Sequence, residues 1–225
     1  MTSDPDPRLQ VVEAVQLLFT SQVMSHSGHG NASMRVGGEA AERMVITGTP
    51  FIRQLGPEHM ALTTFGGEVV EGELDPVVDE IVLMHADVYR ADPRIGSVIH
   101  THSPALTTFA MAGERLPCRY ESALRQGVYE SIPVADWAPR GSPESVRNIV
   151  DQIRAHPGLP CVLLANHGLL AFSDTPRHAA QVIVALEEAA VLMLGAATLG
   201  GARELPPGAF EREREHMRSF GSNAN

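Results

Sequence analysis

Ile95-Gly96-Ser97-Val98-Ile99-His100-Thr101-His102 is the most informative run in this chain of 225 residues. Its apolar first part predicts a buried β-strand, and alternate residues of a strand point to the same face. His100 and His102 can therefore direct two imidazoles toward one point, as a divalent metal ion requires. A second apolar run, 162–164, is followed closely by His167. Three histidines at the ends of buried strands predict a metal site, because imidazole is the commonest protein ligand for metals. The alternative is that these histidines have only a structural role.

The composition of the chain indicates one soluble globular domain. The residues are 44% hydrophobic, and the formal net charge is -10 at pH 7. An acidic chain of this size is a poor candidate for binding nucleic acid, because phosphate contacts need clustered Lys and Arg. The two cysteines, Cys118 and Cys161, belong to no motif, which argues against a disulfide framework and fits a reducing cytosol. We expect no transmembrane run and no signal peptide, and therefore a cytoplasmic protein without membrane contact.

Hydrophobic periodicity predicts short strands interspersed with helices. Helices are predicted over 9–24, 76–90, 103–112, 142–155 and 176–199. Strands are predicted over 34–36, 44–47, 61–65, 68–71, 95–100, 129–134, 161–164 and 169–172. A polar loop is predicted over 25–33. This arrangement predicts a layered α/β/α domain with a largely antiparallel central sheet.

Polar residues near the predicted strands are candidates for binding and catalysis. The loop Gly28-His29-Gly30-Asn31-Ala32-Ser33 offers backbone N–H groups and an amide, which can hold an anion or orient a substrate, although most such loops are ordinary turns. Glu80 precedes the histidine pair on a helix, with Asp79 beside it. A carboxylate near a metal can be a ligand, a general base or both, and otherwise it is a solvated helix charge. His85, on the same helix, is interpreted as a hydrogen-bonded polar residue rather than a ligand.

Taken together, these segments resemble the class II aldolase/adducin family over about residues 8–200. The matching segments, in the order of the family, are Gly30-Asn31-Ala32-Ser33-Met34-Arg35, Val45-Ile46-Thr47-Gly48-Thr49, Tyr89-Arg90-Ala91-Asp92-Pro93, Val98-Ile99-His100-Thr101-His102-Ser103-Pro104 and Leu164-Ala165-Asn166-His167-Gly168. The resemblance implies a three-layer α/β/α class II aldolase-like fold with a largely antiparallel sheet. It also implies a homotetramer with active sites at subunit interfaces, and one divalent metal ion per subunit. Zinc is expected first, with manganese, iron or cobalt as alternatives.

The resemblance also implies roles for single residues. The metal histidines of the family match His100, His102 and His167. The catalytic acid/base glutamate is matched by Glu80, one residue further from the histidine pair than in the sugar-phosphate aldolases. A tyrosine that a neighbouring subunit contributes as proton donor is matched by Tyr120, with a small offset. The substrate-binding positions match Gly30, Asn31, Thr47 and Gly48.

With this resemblance, the chain divides into three predicted parts. Residues 1–8 are expected to be a flexible tail, and residues 9–200 the class II aldolase-like domain. The charged stretch 201–225 is expected to be a C-terminal tail or a last helix.

Two departures from the family pattern concern the phosphate of a sugar phosphate. The sugar-phosphate aldolases carry a Ser-Ser pair just before the glutamate, where this chain has Val78 and Asp79. Valine offers no hydrogen-bond donor, and aspartate repels a phosphate dianion. Pro50 stands where the aldolases have Gly, and proline has no N–H. A non-phosphorylated substrate is therefore expected.

Arginines near the candidate tyrosine indicate what replaces the phosphate. Arg115, Arg119 and Arg125 lie close to Tyr120 in the sequence, and a guanidinium binds a carboxylate through two hydrogen bonds. His29 is a second polar group that can face the substrate. The alternative for the arginines is a set of salt bridges between subunits.

The predicted function is a metal-dependent carbon–carbon lyase, either an aldolase or a decarboxylase. It would act through a metal-stabilised enediolate on a small, carboxylate-bearing hydroxy or oxo substrate, with Glu80 or Tyr120 moving the proton. One alternative is a non-haem iron oxygenase acting on a phenolic or hydroxy acid. A less favoured alternative is a non-catalytic, adducin-like binding module, because such members have lost the metal histidines. The sequence leaves the substrate and the choice of metal open.

Overall fold

The computed structural model describes residues 5–38 and 41–221. The α-helices are α1 Pro7–Thr20, α2 Pro76–Ala91, α3 Pro104–Ala112, α4 Glu121–Arg125, α5 Pro143–Ala155, α6 Pro176–Ala197 and α7 Ala209–Gly221. The strands are β1 Gly30–Val36, β2 Arg43–Thr47, β3 Met60–Thr64, β4 Val69–Glu71, β5 Ser97–Thr101, β6 Val134–Ala135, β7 Cys161–Leu164 and β8 Gly168–Ser173. Within these residues the strands form one sheet in the order β4-β3-β2-β1-β5-β8-β7-β6.

The sheet is antiparallel at every junction except the one between β6 and β7. Strand β5 lies near the middle, between β1 and β8. Its register pairs His100 with Asn31 on one side and with Leu170 on the other. The first metal-ligand candidate therefore lies in the interior of the sheet, beside the amide of the predicted loop.

Two layers of helices cover the sheet. Helices α1, α3 and α6 pack on one face, where Ile99 of β5 joins their core. Helices α2 and α5 pack together on the other face, where Val98 is buried. The neighbours Val98 and Ile99 face opposite layers, as the alternation of a strand requires. The expected three-layer α/β/α fold with a largely antiparallel sheet is confirmed.

Helix α2 is a capped amphipathic helix that forms one wall of the site. The Asp75 side chain accepts a hydrogen bond from the Val77 N–H at 2.9 Å, and Pro76 occupies the first turn. The helix ends at Ala91, because Asp92 precedes a proline and is extended.

The structure corrects several predicted boundaries. The first helix ends at Thr20 rather than at residue 24. Of the predicted strand 129–134 only Val134 belongs to a strand, which continues to Ala135. The loop predicted over 25–33 ends earlier, because β1 begins at Gly30. Hydrogen bonding to β5 and β2 overrides the turn tendency of Asn31 and Ser33, which are strand residues.

Helix α6 corrects the expectation that no segment is long and apolar enough to cross a membrane. An 18-residue window within its 22 residues has a mean hydropathy of 1.7, which meets that test by length and composition only. Half of this apolar window is buried inside the protein. Ile183 and Leu186 pack in the core, and the Glu187 carboxylate accepts backbone hydrogen bonds from α3. These contacts are those of a core helix.

The predicted division of the chain at residues 8 and 200 stays a prediction. Helix α1 begins at Pro7, inside the segment expected to be a tail, because Asp6 caps it. Helix α7 occupies much of 201–225, which agrees with the helix alternative. Residues 1–4 and 222–225 lie outside the described part.

Candidate metal centre and cavity

Three histidines from two distant segments meet at one end of β5. One imidazole nitrogen from each histidine lies within 4.8 Å of the other two, and His100 Nε2 is 3.1 Å from His102 Nε2. His102 follows the strand directly, whereas His167 lies in the turn between β7 and β8. The predicted convergence of His100, His102 and His167 is therefore present.

Local backbone geometry explains why the third histidine belongs to an Asn-His-Gly run. Asn166 has a φ of 57°, in the left-handed region that asparagine tolerates better than most residues. A Cβ added at Gly168 would lie 2.5 Å from the Thr101 carbonyl oxygen and 2.9 Å from a ring carbon of His102. Only glycine allows β8 to approach β5 this closely. The turn thus brings His167 beside the pair.

The three imidazoles have the protonation state and spacing that a metal needs. His100 Nδ1 is 2.8 Å from the Leu169 carbonyl oxygen, so Nδ1–H donates there and Nε2 keeps its lone pair. Burial lowers the pKa of His100 well below its usual value and the pKa of His102 to about 4; it also lowers the pKa of His167. Two nitrogens bound tetrahedrally to zinc lie roughly 3.3 Å apart. The donor set fits a divalent metal ion.

The imidazoles line a cavity of about 420 Å³ whose opposite wall is apolar. The apolar lining comes from α2, α5, β7 and the loop after β2. It consists of Val77, Val78, Ile81, Met84, Ile149, Leu164, Pro50 and Phe51. The polar lining includes His29, Asn31, Asp75, Arg140 and Ser145. The cavity can hold a small molecule with one polar end toward the histidines and a hydrocarbon part against α2.

The predicted substrate-binding residues divide into two groups. His29, Gly30 and Asn31 line the cavity. Thr47 is fully buried and its Oγ1 accepts the Ala32 N–H at 3.3 Å, whereas the Gly48 N–H donates to the His59 carbonyl at 2.7 Å. Neither of these two is among the cavity-lining residues, and their predicted contact with substrate stays a prediction.

Glu80 lies at the edge of the cavity rather than in its wall. Its carboxylate is 3.0 Å from Arg140 Nε, and Arg140 Nη2 donates to the Val77 carbonyl at 2.6 Å. Helix α2 directs Ile81, not Glu80, into the cavity. Asp79 is exposed, and the carboxylate that lines the cavity is that of Asp75. The acid/base role of Glu80 stays a prediction.

The arginine and tyrosine candidates lie elsewhere in their own chain. The Tyr120 hydroxyl donates to Glu188 at 3.1 Å, and Arg119 forms a 2.9 Å ion pair with Glu204. Arg125 pairs with Glu121 and Glu213. None of these three lines the cavity of this chain. The predicted role of Tyr120 involves a neighbouring subunit and stays a prediction.

Sequence reasoning missed Arg140 and Asp75. Arg140 belongs to the loop before α5, and Asp75 caps α2, so each resembled an ordinary turn or cap residue in the sequence. The only available signal for Arg140 was a lone basic residue beside Gly141, just before a capped helix start. Neither residue lies at a sequence distance from the histidines that would indicate a shared site, because only the fold brings them together.

His85 forms a buried chain of hydrogen bonds behind the cavity. Its Nε2 is 2.6 Å from Asn31 Oδ1, and its Nδ1 is 2.7 Å from Ser33 Oγ. Ser33 Oγ is in turn 2.7 Å from the Tyr89 hydroxyl. Burial lowers the pKa of His85 to about 3, so the ring is neutral. The interpretation of His85 as a hydrogen-bonded polar residue is confirmed.

Comparison with known proteins identifies the family. The sequence matches the Class II Aldolase and Adducin N-terminal domain family over residues 9–194. It is 30% identical over 141 residues to the 5-methylthioribulose-1-phosphate/5-deoxyribulose-1-phosphate aldolase of Rhodospirillum rubrum, and the match spans 62% of each chain. It is 28% identical over 166 residues to the 5-deoxy-D-ribulose 1-phosphate aldolase of Bacillus thuringiensis, covering 73% of this chain and 74% of that protein. A solved L-fuculose 1-phosphate aldolase superposes with a TM-score of 0.81 at 25% identity, over 96% of this chain and 98% of its own. The chain belongs to the class II aldolase/adducin family.

Proposed function

We propose that this protein is a metal-dependent lyase that cleaves a carbon–carbon bond, with His100, His102 and His167 holding one divalent ion. The convergence of three neutral imidazoles at a cavity carries this proposal. Zinc is the first choice, with manganese, iron or cobalt as alternatives, because imidazole suits all of them. Such an ion would supply Lewis-acid stabilisation of the negative charge that develops as the bond breaks.

The residues of the chain have separate proposed roles around that ion. Asn31 and His29 orient the substrate oxygens from β1 and the loop before it. Arg140 binds the anionic end, and the apolar wall of α2 excludes water and packs against hydrocarbon. Glu80, from the rim, or Tyr120 of a neighbouring subunit moves the proton.

The charge of the cavity supports a carboxylate as the anionic group. Among the described residues, Arg140 is the only lysine or arginine that lines the cavity, and the Asp75 carboxylate lines it as well. Because Arg140 also pairs with Glu80, the cavity carries little free positive charge, which suits a singly charged carboxylate better than a phosphate dianion. This supports a small, non-phosphorylated hydroxy or oxo acid, cleaved by an aldol or a decarboxylation reaction.

A second candidate substrate is a ketose 1-phosphate. The names of the two relatives favour it, since both describe aldolases for 5-deoxyribulose 1-phosphate. The apolar wall also fits this substrate, because a deoxy carbon chain ends in a methyl group. Retro-aldol cleavage of this ketose breaks one carbon–carbon bond and releases an aldehyde.

A substrate panel tests both candidates on the zinc-loaded, full-length protein. Aldehyde release, measured by coupled oxidation of NADH, is compared for 5-deoxyribulose 1-phosphate and for a series of hydroxy and oxo acids, with carbon dioxide release as a second readout. Turnover of the acids and none of the phosphate supports the carboxylate proposal; the reverse result replaces it with the sugar phosphate. Oxygen consumption with iron and a phenolic acid would instead indicate an oxygenase. A protein that binds no metal and turns over no substrate would indicate a binding module.

We also propose a homotetramer in the cytoplasm. Exposed apolar side chains on the last turns of α6, including Val191, Leu192 and Leu194, support a subunit interface. Light scattering of the purified protein measures the mass, and a monomer would contradict the tetramer.

A further inference from the structure

We infer that His85 is a positioning residue that fixes the side-chain amide of Asn31, with Oδ1 in the core and Nδ2 toward the cavity. Asn31 then offers hydrogen-bond donors, not an acceptor, to the bound molecule. The inference concerns the ligand of the proposed lyase site and rests on that proposed function.

The direction of the buried hydrogen bonds follows from counting donors. The buried Tyr89 hydroxyl lies 2.7 Å from Ser33 Oγ, and no other acceptor for its proton is found among the described residues. We therefore assign the proton of Tyr89 to Ser33 Oγ, because a buried O–H without an acceptor is costly. Ser33 has one hydroxyl proton, which then points to His85 Nδ1 at 2.7 Å. A neutral imidazole whose Nδ1 accepts carries its proton on Nε2. That proton is donated to Asn31 Oδ1 at 2.6 Å.

The orientation of the amide then follows. A rotation of the Asn31 side chain by half a turn would bring its NH2 against the Nε2–H of His85, two donors facing each other in a buried site. With Oδ1 held in the core, Nδ2 has no protein partner among the described residues. Asn31 lines the cavity, so Nδ2 is available to donate to a bound molecule. Asn31 pairs with His100 across the sheet, so this donor lies beside the metal ligands.

The ligand chemistry that fits is an oxygen acceptor next to a metal-chelating oxygen. A carboxylate, a phosphate and the oxygens of an α-hydroxy carbonyl group share this chemistry, and Nδ2 can donate to any of them. Because Asn31 gives no acceptor to the cavity, a ligand that presents only N–H donors at this point is disfavoured.

The tautomer of His85 tests the first step directly, without any turnover. We would label the histidines of the zinc-loaded, full-length protein with nitrogen-15 and record long-range proton–nitrogen spectra. The signal lost in His85→Gln identifies the ring. The expected result is a neutral ring with an unprotonated Nδ1 and a protonated Nε2. The opposite tautomer, or a protonated ring at pH 7, would overturn the inference.

Two substitutions at the same position test the consequence for binding. Gln can place a donor near the position of Nε2, whereas Asn reaches only the position of Nδ1. The probe is glycolate, and its binding to the zinc-loaded protein is measured by calorimetry. His85→Asn should raise the dissociation constant of glycolate about tenfold, the effect of one lost hydrogen bond. His85→Gln should bring it back to within about threefold of the wild type. Equal effects of the two variants at equal zinc content would contradict the positioning role.

The design separates this inference from the proposed function. If no member of the substrate panel is cleaved but the spectra show the expected tautomer, the lyase proposal fails and the oriented amide remains. Tyr89→Phe is a second variant, should the His85 substitutions unfold the protein. It removes the first donor, and the nitrogen-15 spectrum should then lose the strict preference for Nε2–H. An unchanged spectrum would contradict the assigned direction of this chain of hydrogen bonds.

Discussion

A histidine that binds a metal must be neutral, and its free nitrogen must be aimed at the ion. Burial supplies the first property at His100, where desolvation and the neighbouring imidazoles lower the pKa. The hydrogen bond from Nδ1 to the Leu169 carbonyl then aims Nε2 at the other two rings. The position and the protonation state of His100 therefore both follow from the pairing of β5 with β8.

Replacing one ligand should remove the metal. We expect His100→Ala to lose most of the bound zinc and at least about a hundredfold in turnover, since two imidazoles do not complete the site. His26→Ala is the matched control, because His26 is exposed in the loop after α1 and should keep one zinc per chain. Elemental analysis and the lyase assay check both variants. Equal zinc content in the two variants would contradict the proposed ligand set.

Buried His85 should make the stability of the protein depend on pH. Its pKa is lowered to about 3 in the folded protein, whereas the unfolded chain takes up a proton near pH 6.5. The unfolded state therefore binds more protons as the pH falls below 6.5, and the folded state loses stability. Between pH 6.5 and pH 5 this histidine should contribute a loss of about 1–2 kcal/mol in the free energy of unfolding.

The comparison of the wild type with His85→Gln isolates the contribution of His85 to the pH dependence of stability, since the other histidines are common to both proteins. Urea unfolding of the metal-free proteins at several pH values gives the two slopes. The wild type should lose stability more steeply than His85→Gln as the pH falls. Parallel slopes would mean that His85 is not held neutral by the fold.

Single residues also show what the sequence could reveal about the site. His100, His102 and His167 could be predicted, because an apolar run fixes the strand and the alternation fixes the face. Arg140 and Asp75 could not, because nothing in a turn or a cap indicates which cavity it will face. Glu80, the predicted acid/base, lies at the rim, since a helix advances about 100° per residue and the neighbouring Ile81 occupies the wall.

At the level of elements, remote side chains complete the ends of helices. Ser103 directly precedes α3, but its hydroxyl bonds to Thr101 Oγ1 instead of capping the helix. The Glu187 carboxylate from α6 accepts the Ala105 and Leu106 N–H groups at 2.8 and 2.9 Å. A cap supplied 81 residues away cannot be predicted from local sequence patterns.

Loss of this cap should destabilise the whole domain. We expect Glu187→Ala to lower the free energy of unfolding by about 2–4 kcal/mol, because two buried N–H groups lose a charged acceptor. Glu187→Gln should cost less, since its amide oxygen still accepts. The neighbouring Glu188 is exposed, and Glu188→Gln should change stability by less than about 0.5 kcal/mol. Chemical denaturation ranks the three variants, and a Glu187→Ala as stable as Glu188→Gln would contradict the capping role.

The contact between β5 and β8 depends on a glycine. We expect Gly168→Ala to lower both the stability and the zinc affinity, because its Cβ would overlap the Thr101 carbonyl and crowd His102. Gly195 in α6 is the control, since no atom lies within 4 Å of an added Cβ. Gly195→Ala should stabilise the protein by up to about 1 kcal/mol through helix propensity. Unfolding curves with and without zinc check both, and a neutral Gly168→Ala would show that the strands can separate there.

At the level of the whole molecule, one chain does not hold all the predicted catalytic residues in one place. The histidines line the cavity, whereas Tyr120 bonds to Glu188 on the surface of the same chain. The family resemblance assigns such a tyrosine to the site of a neighbouring subunit. The fold of one chain could be predicted from its sequence, but the pairing of surfaces could not, because exposed residues carry no periodic signal of their partner.

A mixture of two inactive variants tests whether the sites are shared. His100→Ala chains keep Tyr120 but lack the metal site, and Tyr120→Phe chains keep the metal site but lack the tyrosine hydroxyl. In a homotetramer with shared sites, some sites combine a complete histidine set with an intact tyrosine from the neighbour. After unfolding and joint refolding in equal amounts, about a quarter of the sites should be complete by random assembly of a cyclic tetramer. Turnover should rise to roughly that fraction of the wild type, whereas each variant alone stays low. A mixture no more active than the average of its two components would contradict the shared site and would place the proton donor within a single chain.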